Sequence, residues 1–77
     1  MQILTDRQEK ILGLIVHEYV ENPKTSGVSS QILVDKHRLD WSTATIRNDM
    51  ASLSHIGFLY QPHTSAGRIP TEVGYRY

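Results

Sequence analysis

The residues best suited to chemistry lie in one short run, Ser42-Thr43-Ala44-Thr45-Ile46-Arg47-Asn48. Ser42 has the side chain of a helix N-cap. If Ile46, Met50 and Leu53 turn toward a core, then Thr43, Ala44, Arg47, Asn48 and Ala51 face the other way or onto the flanks. Those side chains suit the edges of base pairs: arginine takes guanine in a bidentate pair, asparagine does the same with adenine, and a threonine or alanine methyl touches thymine. Ser42, Thr43 and the free amides at the helix start suit a phosphate, and Thr45 belongs to the same expected DNA-binding helix.

A second run, Gln61-Pro62-His63-Thr64-Ser65-Ala66-Gly67-Arg68, is too polar for a core. Its small residues let a backbone approach another surface. His63, Thr64, Ser65, Gly67 and Arg68 are the residues that would lie along a phosphate backbone or place an arginine in a minor groove. Asp49 fits poorly beside phosphates, and the expectation is that it turns sideways to pair with Arg38 or Arg47.

Elements that would hold these runs can be read from spacing. Thr5 and Gln8 form a capping box ahead of Ile11, Leu12, Ile15, Val16, Tyr19 and Val20 at helical intervals, and Asn22-Pro23 ends that helix near Glu21. Ser29 or Ser30 caps a short second helix in which Ile32, Leu33 and Val34 face inward, ending near His37-Arg38. A third helix starts at Ser42, carries Ala44, Ile46, Met50, Leu53 and Ile56 on or near one face, and meets Gly57 where a left-handed cap is expected. Phe58 to Gln61 and Arg68 to Pro70 then read as two strands around a polar tip, with Thr71 capping one more helix. The predicted fold is mainly α with a small β-hairpin, a winged helix-turn-helix spanning residues 1–77 as one domain. A chain that stops inside a starting helix suggests part of a longer protein, or a domain with a frayed tail.

Composition narrows the classes. With 39% apolar and 21% charged residues, this is an ordinary folded domain of 77 residues. A chain so short buries only about 60% of the surface its unfolded form exposes, so function belongs on a surface rather than in a deep pocket. The absence of cysteine excludes disulfides and thiolate metal sites and suits the cytoplasm. No apolar run is long enough to suggest a membrane span. His17, His37, His55 and His63 lack ligand spacing, and no nucleophile elbow or glycine-rich phosphate loop is present. No catalytic residue, metal, cofactor or small-molecule ligand is therefore expected. Eight basic residues balance eight acidic ones, which counts against nucleic acid, although from Trp41 onward Arg47, Arg68 and Arg76 outnumber Asp49 and Glu72. Double-stranded DNA is the expected partner. A winged helix used for protein interaction is the rival reading.

The run Trp41 to Met50, followed by Gly57-Phe58-Leu59 and Pro62 to Glu72, resembles the N-terminal domain of the HrcA family of heat-inducible transcription repressors. The likeness extends from Leu4 to Tyr77, and the run His63 to Thr71 is its most specific part. The loop Asn22 to Ser29 is longer than the usual form. What the resemblance implies is a cytoplasmic repressor whose dimer binds an inverted-repeat operator upstream of chaperone genes, with Ser42 to Asn48 as recognition helix and His63 to Arg68 as wing. In that family a larger C-terminal region supplies dimerisation, so the present chain alone would be a monomer or weak dimer.

Overall fold

The computed structural model describes residues 4–62 and 67–77. Helix α1 (Asp6–Glu21) opens with the capping box its sequence carries: the Thr5 hydroxyl accepts from the Gln8 amide at 3.0 Å, and the Gln8 side chain accepts from the Thr5 amide at 3.0 Å. Its inward stripe is centred on Ile11, Ile15 and Glu18. This is narrower than the periodicity suggests, for Val16 and Tyr19 are half-buried and Val20 is exposed.

Glu18 ends the stripe because α2 (Ser30–His37) brings Lys36 and His37 to it. One carboxylate oxygen accepts from Lys36 Nζ at 2.9 Å, and the other lies 3.0 Å from His37 Nε2. The Lys36 hydrogen bond holds the Glu18 carboxyl below its ordinary range; burial opposes that shift and His37 adds to it. A carboxyl with a lowered folded-state pKa contributes stability that is complete above the ordinary value of 4.5 and lost as pH falls through the folded one. Urea midpoints for the wild type and Glu18→Gln should therefore differ most near neutrality and converge on acidification below that value.

Helix α2 is capped by Ser29, whose hydroxyl accepts from the Ile32 amide at 3.1 Å. With eight residues it presents little more than one buried apolar position, and that is Leu33. Ile32, expected inside, sits on the outer side and is 42% exposed. Arg38 closes the helix in the left-handed region, with φ 51° and ψ 49°. This conformation costs an L-residue on the order of 1 kcal/mol. Arg38→Gly should thus raise unfolding stability by roughly 0.5 to 1 kcal/mol and Arg38→Val should lower it, as denaturant titration would show.

Helix α3 (Thr43–His55) is capped by Ser42, accepting from the Thr45 amide at 3.1 Å. Ile46, Met50 and Leu53 are buried. The helix ends in a paired cap around Gly57, at φ 91°: the Phe58 amide reaches the Leu53 carbonyl at 2.9 Å and the Gly57 amide reaches that of Ser54 at 3.1 Å. Ile56 is left exposed at this cap. Strands β1 (Leu59–Tyr60) and β2 (Ile69–Pro70) pair antiparallel, Leu59 opposite Pro70 and Tyr60 opposite Ile69. Helix α4 (Glu72–Arg76) follows, capped by Thr71, and packs Gly74 so closely on the Phe58 carbonyl that no Cβ fits. Leu4, Val28, Phe58 and Leu59 complete the core with the inner residues of the first three helices. Among the described residues no helix is long and apolar enough to cross a membrane.

Candidate nucleic-acid interface

Burying Ile46, Met50 and Leu53 forces the opposite stripe of α3 outward. Ala44, Arg47, Asn48 and Ala51 are all exposed, spaced three and four apart, and so form one continuous face. Thr43 and Thr45 lie half-buried on its flanks, while Ser42 is exposed at its start. The Ser42 hydroxyl donates to Thr45 Oγ1 at 3.0 Å, so these two side chains hold each other as well as the helix end. Thus the six residues expected on the recognition helix are gathered on its first two turns.

Asp49 does not behave as expected. It is buried and pairs with Arg7 of α1, two guanidinium nitrogens meeting its two oxygens, and with neither Arg38 nor Arg47. The physical reason is the helix period: Asp49 falls beside Ile46 and Met50 on the side facing α1, where an uncompensated carboxylate would be costly and Arg7 supplies the charge. The pair raises the pKa of Arg7, chiefly through the hydrogen bond.

On the wing, His63, Thr64 and Ser65 lie outside the described residues. Gly67 and Arg68 form the root. The Val28 amide donates to the Arg68 carbonyl at 2.8 Å, and the Arg68 amide to the Val28 carbonyl at 2.9 Å, so the segment ahead of α2 is stitched to the hairpin as an antiparallel bridge. A Cβ on Gly67 would overlap the Val28 backbone, which is why glycine stands there. The Arg68 guanidinium crosses to α3 and donates Nε to Ser54 Oγ at 3.0 Å. Arg68 is consequently a tie between the wing and α3 as well as a cation.

Sequence reasoning missed a further feature. A cleft of about 380 Å³ lies between α2, α3 and the wing root, lined by Ser29, Ser30, Gln31, Arg47, Met50, Gln61, Gly67 and Arg68. Both arginines line it and no carboxylate does. The glycines at 27 and 67 were the available signal, since a Cβ on either would strike the other segment's backbone. Among the described residues no group of three or more histidines and carboxylates is placed to hold a metal.

Three helices, the second and third joined by a tight turn, with a hairpin folded back on the loop before the second, define a winged helix-turn-helix domain. No protein-family model matches the chain. It is 55% identical over 74 residues to the heat-inducible transcription repressor HrcA of Thermotoga petrophila, covering 96% of this chain and 21% of that protein. It is 53% identical over 74 residues to HrcA of Chloroflexus aurantiacus, covering 96% and 19% respectively. A crystal structure of a hypothetical protein at 2.2 Å resolution superposes with a TM-score of 0.86 and 56% identity, over 95% of this chain and 23% of that one. The chain thus spans about a fifth of the length of the curated relatives it matches. It belongs to the HrcA family of heat-inducible transcription repressors, corresponding to their N-terminal region.

Proposed function

We propose that this chain binds double-stranded DNA sequence-specifically, as the DNA-reading part of a cytoplasmic transcriptional repressor of heat-shock and chaperone genes. The observation that carries this reading is the exposed stripe Ala44, Arg47, Asn48 and Ala51 beside a cleft lined by two arginines and no carboxylate. Arg47 and Asn48 read base edges in the major groove, Ser42, Thr43 and Thr45 hold the adjacent backbone, and the wing from His63 to Arg68 lies along the phosphates. The operator is an inverted repeat bound by a dimer whose interface lies in the larger protein, with this chain alone a monomer or weak dimer. The chemistry is binding, with no reaction catalysed.

Selection from a random duplex pool followed by footprinting tests this directly. The expected result is one enriched half-site protected on a single face of the duplex. Enrichment of no sequence would sink the specific reading.

A second reading, a protein-interaction module, is favoured by exposed Val73 and Tyr75 of α4 and Tyr77 just after it, the two tyrosines lining a groove along α1. Salt separates the two: DNA binding weakens steeply as salt rises, and an apolar protein interface does not.

A further inference from the structure

Ser30 is the most unusual polar residue of the chain. It is 8% exposed, yet among the described residues its hydroxyl has no hydrogen-bond partner. No fully enclosed side-chain polar atom among them lacks a partner, so this hydroxyl must retain access to the outside, and it lines the cleft between α2, α3 and the wing root. Ser29 lines the same cleft, and its oxygen accepts from the Ile32 amide while its O–H keeps a donor to offer.

Around Ser30 the surroundings all carry one sign. As the first residues of α2, Ser30 and Gln31 present amides with no carbonyl four residues back inside the helix, at the positive end of its dipole. The Gln31 side chain is turned along the helix to Asp35, 2.9 Å away, and so is held to the helix surface. Arg68 enters from the wing and Arg47 from α3. Met50 and Gly67 add no charge. A hydroxyl donor, two helix-terminal amides and two guanidinium groups around one small cleft meet the needs of a tetrahedral anion with several acceptor oxygens.

We propose that this cleft is a phosphodiester site that seats one backbone phosphate of the bound duplex, gripped by Ser30 and the start of α2 on one side and by Arg68 on the other. It deepens the DNA reading and rests on it. The site assigns α2, otherwise only a support for the recognition helix, a direct contact with DNA. It also fixes the register between wing and α3, because one phosphate then touches both. Arg47 lends positive potential from the cleft's edge, its exposed end remaining free for the groove.

Ser30→Asp separates a ligand role from a structural one. A carboxylate at the start of a helix favours the helix, and Arg68 lines the same cleft and can offset the charge at a position only 8% exposed, so with a merely structural Ser30 the fold should tolerate the change. In a phosphate site the same carboxylate repels the ligand and pairs with Arg68 instead. Two measurements apply, both on the 77-residue chain. Duplexes carrying one neutral methylphosphonate linkage at each position in turn are titrated against wild type and variant. Inorganic phosphate is titrated separately while the Ser30 and Gln31 amide resonances are followed.

In the wild type, one linkage should cost about tenfold in affinity when neutralised, as loss of a charge-assisted contact does, and inorganic phosphate should shift both amides saturably. In Ser30→Asp, affinity for the natural duplex should fall at least about tenfold, the penalty at that linkage should vanish, and the amide response should disappear, with the melting temperature unchanged or raised. Should Ser30→Asp fail to fold, Ser30→Ala supplies the same comparison with a smaller loss. Duplex binding that is intact while no linkage penalty depends on residue 30 overturns the site and leaves the DNA reading standing. A wild type that binds no duplex overturns the DNA reading; the cleft then stands as a free-anion site if the amides respond to phosphate, and falls if they do not.

Discussion

Arg47→Ala should weaken binding to the preferred duplex by on the order of 1 to 3 kcal/mol and relax base preference at one position, as removal of a bidentate contact to a base does. Three features put Arg47 in this role. It lies just over a turn inside a helix whose start is fixed by Ser42, and it is backed by Ile46 and Met50, which are buried and hold the rotation of α3. Among the described residues it also has no ion-pair partner, because Asp49, its nearest carboxylate in sequence, is taken by Arg7. The measurement is a pair of titrations, against the selected site and a scrambled duplex. A specific reader loses affinity chiefly for the first. Equal losses on both would make Arg47 a backbone contact and transfer base reading to Asn48 or to the wing.

Gly67→Ala should destabilise the domain by about 1 to 3 kcal/mol, the range for forcing atoms into a filled space. The added Cβ would overlap the Val28 backbone, and the two hydrogen bonds between Val28 and Arg68 cannot both survive its displacement. A domain of this size has roughly 4 to 12 kcal/mol in total, so the melting temperature should drop by on the order of 10 °C. DNA affinity should fall for specific and scrambled duplexes alike, since the wing root would no longer be held to α3 through Arg68 and Ser54. Amide hydrogen exchange localises the effect: protection at Val28 and Arg68 should be lost before that of Ile15 or Leu53. Gly13→Ala is the matching control, because a Cβ there meets nothing within 4 Å. It should stabilise α1 by roughly 0.5 to 1 kcal/mol.

Local signals in the sequence were strong wherever the backbone must be capped. Thr5, Ser29, Ser42 and Thr71 each open a helix, and Gly57 ends one, because an unpaired helix end leaves few chemical choices. The exposed face of α3 was legible for a related reason: with Ile46, Met50 and Leu53 inward, the helical period dictates what is outward. What remained hidden depends on contacts between distant segments. Nothing near Asp49 in sequence points to Arg7, and nothing near Arg68 points to Val28 or Ser54. Ile32 could not be told from Leu33 by period alone in a helix of eight residues. The placement of charge was hidden in the same way: Asp49, Glu18 and Glu72 pair with Arg7, with Lys36 and His37, and with Arg76, each pair taking a cation along with its carboxylate, and none of these residues lines the cleft.

The pairing of Arg7 with Asp49 also bears on how such a sequence can change over generations. Asp49 adjoins Asn48, so the attitude of the exposed face of α3 is secured to the opening turn of α1 across 42 positions of chain. The dependence is one-sided: losing Arg7 strands the buried Asp49 carboxylate against the core, whereas Arg7 is 43% exposed and can face solvent if Asp49 is replaced. A substitution at position 7, remote in sequence from α3, should therefore shift the exposed face of that helix while leaving every residue on it unchanged.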